Sequence, residues 1–156
     1  MDDETLAGVL PGAWELERWE IRYSDGRAPS LPFGEHATGL LLYTPQGFMS
    51  AGIARAARPR FDSPSTRHVP AGCKCDAFDS YFHYAGPWRI EDDEVVHSVT
   101  MSLNPDMTGT EQRRLAVFDD ADGLTLSAKE ALKDGACRHH ILQWEVSRNS
   151  IGCTKE

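Results

Sequence analysis

His97 is the residue of this chain best suited to acid–base chemistry. It lies in an alternating segment whose odd positions, from Val95 to Leu103, are otherwise apolar. An unperturbed imidazole has a pKa of about 6.5, so on such a face it can bond a ligand or act as a general acid or base near neutral pH. The alternative is a core histidine that a backbone carbonyl or a neighbouring side chain satisfies.

His140 is the second imidazole that we expect on an apolar face. Alternation with a period of two groups it with Leu142 and Trp144 and turns His139 outward. Two inward imidazoles could supply an acid and a base, so we predict a catalytic role for His140 beside His97. A structural role is the alternative.

Two consecutive arginines, Arg113 and Arg114, begin a further strand-like segment. Neighbours in a strand point to opposite faces, so one of the two faces inward. We predict that Arg113 is the inward one, because the apolar residues Leu115 and Val117 share its face. Its planar donor fork could then orient a carboxylate, phenolate or enolate oxygen.

Further residues are predicted to line a ligand site. Side chains on the predicted inner faces would form its wall, and residues that follow a predicted helix would lie at its mouth, although simple packing is the alternative for the aromatic ones. The predicted wall residues are Trp88, Val99, Met101 and Trp144, and the predicted mouth residues are Tyr81, His83 and Tyr84.

The residue types that bind metals do not form a recognisable site. They are His68, Cys73, Cys75, His83, Cys137 and Cys153. Cys73 and Cys75 are closer together than the usual zinc pair, and no second pair follows. A glycine-rich phosphate loop, a Gly-x-Ser-x-Gly elbow and a His-Glu-x-x-His motif are absent too. We therefore predict no metal and no cofactor.

Eight strand-length segments carry these residues, and short turns join most of them. The first segment changes its apolar face between Leu16 and Trp19, which predicts a bulge. Thr44-Pro45-Gln46-Gly47 has the composition of a type I turn and predicts a hairpin. The segments span residues 13–23, 38–43, 48–54, 84–91, 95–103, 112–118, 124–128 and 137–147.

This pattern predicts an all-β fold, an eight-stranded antiparallel barrel. Alternation with one apolar face is typical of antiparallel strands, and closure removes exposed edges and leaves room for one small ligand. A two-sheet sandwich is the alternative. The long stretch from Arg55 to His83 contains three prolines and a segment, 75–82, that could form a short helix. It is either a lid or a mobile surface excursion.

Composition and charge narrow the partners. The 156 residues fit one domain, and 24 acidic against 16 basic residues give a net charge of −8, which disfavours nucleic acid. The N-terminus is acidic without an apolar run, and nowhere do about 20 apolar residues follow one another. These features predict a cytoplasmic protein with reduced thiols that has no membrane partner.

Five segments in order resemble the bacterial and fungal lipocalin-like domain proteins of the calycin group. Gly12-Ala13-Trp14 is similar to the lipocalin Gly-x-Trp, and the most specific match is Pro32-Phe33-Gly34 with residues 39–51. The pattern continues through residues 84–86, 96–97 and 109–114, so that the similarity covers about residues 8–147. Residues 73–75, residues 139–140 and the tail from Asn149 depart from it.

The resemblance implies a barrel with an apolar cavity over about residues 10–147, within a single domain of residues 1–156. It also implies a structural alternative for the inward arginine, which in such barrels packs over the Gly-x-Trp tryptophan. Similar proteins are binders, pathway accessory proteins or cofactor-free enzymes of secondary metabolism and aromatic catabolism. A shared fold does not choose among these.

We expect the interior to hold a small hydrophobic or aromatic molecule with an oxygen function. The preferred hypothesis is a cofactor-independent isomerase, cyclase or lyase that transfers protons. In it His97 is the acid or base, Arg113 stabilises an oxyanion, and Tyr84 or His140 assists. The alternative is a non-catalytic binding or carrier protein. Whether the chain forms a homodimer is left open.

Overall fold

The computed structural model describes residues 2–119 and 122–148. Within these ranges the chain forms two α-helices, α1 (Asp3–Val9) and α2 (Ala71–Asp79), and short 3₁₀ turns at Thr66–His68 and Pro105–Met107. The strands are β1 (Gly12–Tyr23), β2 (Thr38–Tyr43), β3 (Phe48–Ala54), β4 (Tyr81–Glu91), β5 (Glu94–Ser98), β6 (Met101–Ser102), β7 (Glu111–Phe118), β8 (Gly123–Ala131) and β9 (Cys137–Val146).

Eight of these strands close into an antiparallel barrel. They follow one another in the order β3-β2-β1-β9-β8-β7-β5-β4, and β3 pairs with β4 to complete the ring. That last pairing runs from Phe48 opposite Pro87 to Ala54 opposite Tyr81. The predicted eight-stranded barrel is thereby confirmed, since a two-sheet sandwich would leave β3 and β4 unpaired.

Two local predictions are confirmed as well. The register of β1 against β9 shifts between Leu16 and Arg18, which is the expected bulge. The turn between β2 and β3 closes with a hydrogen bond of 3.0 Å from Gly47 N to Thr44 O. The bulge matters for the interior, because it lets Trp14 near one end of β1 and Trp19 near the other both contribute to the core.

The predicted strand from Val95 to Leu103 is interrupted. β5 ends at Ser98, and the backbone N–H groups of Val99 and Thr100 bond to Thr110 O and Ala85 O respectively. The short β6 follows and pairs with β4. The alternation that the sequence suggests for residues 95–103 therefore does not continue beyond Val99.

Helix α1 is an element that the sequence analysis misses. Its N-cap is Asp2, whose side chain accepts a hydrogen bond of 2.8 Å from Thr5 N. Leu6 and Leu10 are buried in the core cluster together with Trp14, whose indole N–H donates to Leu10 O at 3.0 Å. The helix thus covers the end of the barrel where β1 begins, and the opposite end remains as the mouth.

The segment between β3 and β4 does contain a short helix, but α2 begins at Ala71 and ends at Asp79 rather than spanning 75–82. Arg58 holds it through hydrogen bonds of 3.0 Å to Ser80 Oγ and Ala77 O. In the described ranges no helix is long and apolar enough to cross a membrane. The tail from residue 149, with Cys153, lies outside the described residues.

Candidate functional site

A cavity of about 330 Å³ occupies the barrel interior on the side of the mouth. Most of its wall is apolar, which follows from the inward face of each strand. The apolar lining residues are Trp19, Leu41, Ala51, Ile53, Phe82, Leu126, Ala128, Leu142 and Trp144. The polar lining residues are Tyr84, His97, Gln112, Arg114, Lys129, Glu130 and His140. A few polar groups in an apolar cavity are typical of a small-molecule site.

His97 lies between two tyrosines that neighbouring strands bring to it. Tyr43 is the last residue of β2, and its hydroxyl oxygen is 2.7 Å from Nε2. Tyr84 in β4 has its hydroxyl oxygen 2.6 Å from Nδ1. All three side chains are buried, the imidazole to 1% exposure. A neutral imidazole carries one N–H and one acceptor nitrogen, so it donates to one phenol and accepts from the other.

Burial governs the ionisation of this group. It lowers the pKa of His97 to about 3, and the nearby positive charge of Arg114 acts in the same direction. Burial also raises the pKa of Tyr43 and of Tyr84, with the Arg114 charge opposing the shift in both. Near neutral pH the side chains of Tyr43, His97 and Tyr84 are therefore all uncharged, and hydrogen bonds join them.

Arg114 is the arginine of the cavity, whose lining also includes Lys129. It lies on the inner face of β7, half-buried, and donates to the backbone oxygen of Arg113 at 2.8 Å. In the part of the chain that the structure describes, no carboxylate forms an ion pair with it. A guanidinium beside apolar walls without a counter-charge is well suited to an anionic or electron-rich oxygen.

The prediction that Arg113 is the inward arginine is wrong. Its guanidinium lies on the outer surface, 2.6 Å from Glu91 and 3.4 Å from Glu111. Leu115 and Val117, which share its face, are themselves exposed to 39% and 53%, so that face is the outer one. Arg113 therefore does not pack over the Gly-x-Trp tryptophan either, and Trp14 has Phe118 as its aromatic neighbour at 6.0 Å.

Three predicted wall residues do not line the cavity. Met101 is exposed to 61%, because the strand is interrupted before it. Val99 is buried in the core cluster outside the lining. Trp88 packs edge-on against Tyr43 with ring centroids 5.4 Å apart, away from the lining. Trp144 is the predicted wall residue that does lie on the cavity.

Of the predicted mouth residues, Tyr84 lines the cavity and Tyr81 and His83 do not. Because β4 begins at Tyr81, these two alternate with Phe82 and Tyr84 and face outward. His83 Nε2 lies 3.0 Å from Ser50 Oγ, and the Tyr81 ring is covered by Arg58 at 5.2 Å. Residues 55–80 contribute nothing to the lining, so the lid remains a hypothesis.

His140 lies at the mouth with both nitrogens engaged. The indole N–H of Trp19 donates to Nδ1 at 3.3 Å, so the imidazole proton is on Nε2, 3.4 Å from Glu130 Oε2. Burial lowers the pKa of His140, and the hydrogen bond to Glu130 opposes that shift. The catalytic role predicted for His140 stays a prediction.

Two functional groups escaped the sequence analysis. Tyr43 ends a predicted strand and has no predicted site role, and only the closed sheet reveals that it meets His97. The second group is the indole N–H of Trp144, which is buried at the cavity without a hydrogen-bond partner among the described residues.

Within residues 2–119 and 122–148 no group of three His, Cys, Asp or Glu side chains could hold a metal ion.

A closed eight-stranded antiparallel barrel with an apolar cavity and a few inward polar groups defines the class of small-molecule-binding barrels. The chain belongs to the lipocalin-like domain family, whose model matches residues 11–146. That match spans β1 to β9 and so the whole cavity wall. A comparison with curated proteins found no match.

Proposed function

We propose that the barrel binds a small, largely apolar molecule whose anionic or electron-rich oxygen is held by Arg114. The observation that carries this proposal is the guanidinium that lines a largely apolar cavity and forms no ion pair with a carboxylate in the described ranges, since Glu130 at the same cavity pairs with Arg138 and His140. A buried or half-buried cation without a counter-charge is costly, and a ligand oxyanion would supply that charge.

The size of the cavity supports a ligand of one or two rings. A volume of about 330 Å³ lies at the lower end of the range of about 300–1,000 Å³ that is typical of small-molecule sites. The apolar part of the ligand would contact residues such as Leu41, Leu126 and Leu142. The oxygen would meet Arg114 and the hydroxyl of Tyr84, whose pKa burial raises, so that it stays a neutral donor.

Calorimetry with 2-naphthoate and its neutral isostere 2-naphthamide tests the proposal. The protein should prefer the carboxylate, and Arg114→Gln should weaken 2-naphthoate binding by roughly 10- to 100-fold, as expected for a charge-assisted hydrogen bond. Arg113→Gln is the matched control, because the Arg113 side chain points outward into surface ion pairs. Equal affinity for acid and amide, or an equal loss in both variants, would refute the proposal.

A second candidate function is proton transfer without a cofactor, as in an isomerase, cyclase or lyase. It is favoured by two donors, Tyr84 and Arg114, that line one cavity and could stabilise an enolate or phenolate oxygen. His97 is poorly suited to be the base, because it is almost completely buried and burial lowers its pKa to about 3. His140 is the remaining cavity imidazole.

Exchange of the α-protons of 2-tetralone in D₂O separates this candidate from a carrier. A base removes an α-proton, the C–H electron pair forms the C=C bond, and the carbonyl π-electrons move to oxygen. Reprotonation from solvent then leaves deuterium at carbon. An enzyme should accelerate exchange over buffer and lose that acceleration in Tyr84→Phe and His140→Gln. A carrier should bind the ketone and leave exchange at the buffer rate.

We also propose that the ligand is aromatic, that the protein is cytoplasmic and that it acts in secondary metabolism. The lack of a metal, cofactor or nucleic-acid partner stays a prediction, as does the single domain over residues 1–156.

A further inference from the structure

We infer that Tyr43, acting through His97, fixes Tyr84 as a hydrogen-bond donor towards the cavity, so that the site selects ligands that present an acceptor oxygen. The inference rests on the proposed function and specifies the ligand chemistry that the same cavity recognises. Tyr43 is a positioning residue in this scheme, because it does not line the cavity itself.

Two arrangements of protons fit the distances around the imidazole. In the first, Tyr43 donates to Nε2, the Nδ1–H donates to the Tyr84 oxygen, and the Tyr84 hydroxyl proton is free to point elsewhere. In the second, Tyr84 donates to Nδ1, the Nε2–H donates to the Tyr43 oxygen, and the Tyr43 proton needs another acceptor. The two arrangements are opposite tautomers of His97.

The surroundings of the two phenols distinguish these arrangements. Tyr43 is 2% exposed and away from the cavity, and among the described residues its hydroxyl has His97 as its hydrogen-bond partner. The second arrangement would therefore bury the Tyr43 proton without an acceptor, which is costly. Tyr84 lines the cavity, where a ligand oxygen or a water can accept its proton. The first arrangement, with the proton on Nδ1, is the stable one.

The rest of the wall agrees with a ligand that accepts hydrogen bonds. The Trp144 indole N–H is buried without a partner in the described part of the chain, and an indole nitrogen only donates. Arg114 likewise offers donors alone. A directed Tyr84 hydroxyl makes a third donor. A ketone, carboxylate or enolate oxygen fits these three donors.

Nitrogen-15 NMR of the ligand-free protein tests the tautomer directly. The Nδ1 of His97 should give the signal of a protonated nitrogen and Nε2 that of an unprotonated one, without change from about pH 5 to about pH 8. In Tyr43→Phe the Nδ1–H form should lose its preference, and both tautomers should appear. Tyr23→Phe is the control, since its hydroxyl contacts Ser30 instead. A wild-type protein with the proton on Nε2 overturns the inference.

Ligand preference gives the second measurement. The wild type should bind acetophenone about two- to tenfold better than ethylbenzene, the range of a single net hydrogen bond. Tyr84→Phe should reduce this preference and Tyr43→Phe should reduce it to a smaller extent, and an undiminished preference in Tyr43→Phe overturns the role of Tyr43. The two proposals fail separately. Protonated Nε2 in a protein that binds 2-naphthoate refutes the inference alone, and protonated Nδ1 without naphthoate binding refutes the proposed function alone.

Discussion

Arg113 and Arg114 are consecutive residues of β7 that lie on opposite sides of the barrel wall. Arg113 forms ion pairs with Glu91 and Glu111 on the outer surface, and the hydrogen bond from Arg113 lowers the pKa of Glu91. Arg114 lines the cavity. Exposed ion pairs contribute little to stability because water screens them, so replacing Arg113 should change the free energy of unfolding little. The inner arginine places a guanidinium at the cavity.

His97 should make the protein sensitive to acid. Since burial lowers its pKa from 6.5 to about 3, the unfolded chain binds this proton at higher pH than the folded chain. Its contribution to stability is therefore complete above about pH 6.5 and is lost as the pH falls towards 3.

Urea unfolding of the wild type and His97→Gln at about pH 7 and about pH 4.5 measures this contribution. Between these values the free energy of unfolding should fall by about 2–3 kcal/mol more in the wild type than in the variant. The comparison uses the difference between two pH values, so an overall loss of stability in the variant does not obscure it. Equal pH dependence would show that the imidazole is not held neutral. His68→Gln, an exposed histidine, is the control.

Helix α1 should be essential to the closed end of the barrel. Leu10 is fully buried beside Trp14, so Leu10→Ala should lower the free energy of unfolding by about 2–5 kcal/mol through lost apolar contact and a residual cavity. Val9→Ala, at the last residue of α1 and next to the C-cap Leu10, should change it by less than about 0.5 kcal/mol, because Val9 is 44% exposed. Chemical denaturation of both variants checks this, and a similar loss in the two would contradict the packing described.

Gly86 should not tolerate a side chain. A Cβ at this position would overlap the backbone carbonyl oxygen of Ser98, where the chain leaves β5 and passes close to β4. Gly86→Ala should therefore prevent folding or lower the midpoint of thermal unfolding strongly. Gly72 in α2 has open space around it, and Gly72→Ala should stabilise the protein by about 0.5–1 kcal/mol through helix propensity. Circular dichroism melts compare the two, and a Gly86→Ala protein as stable as wild type would refute the close approach.

Much of the fold could be predicted from the sequence, because alternation and turn chemistry are local signals. The bulge near Leu16 and the turn at Gly47 are both readable from neighbouring residues. Helix α1 was missed because its apolar face consists of little more than Leu6 and Leu10, too few for a helical period to stand out.

The site was less predictable, since alternation gives two faces without saying which one is inside. On β7 the exposed face carries Leu115 and Val117, and for this reason Arg113 was predicted to face the cavity, although Arg114 does. The contact between Tyr43 and His97 joins residues 54 positions apart, and it depends on the closure of the barrel. The residue types predicted a cavity for a ligand with an oxygen function. The hydrogen-bond and ion-pair partners of each side chain, however, had to come from the structure.

A crystal structure of the protein with 2-naphthoate tests the central claim most directly. We predict that the rings occupy the apolar part of the cavity and that a carboxylate oxygen lies about 2.8 Å from a guanidinium nitrogen of Arg114, the distance of a charge-assisted hydrogen bond. The Tyr84 hydroxyl should lie within hydrogen-bond reach of the same carboxylate. A ligand seated on the outer surface beside Arg113, or one inside the barrel with its carboxylate turned away from Arg114, would contradict the account.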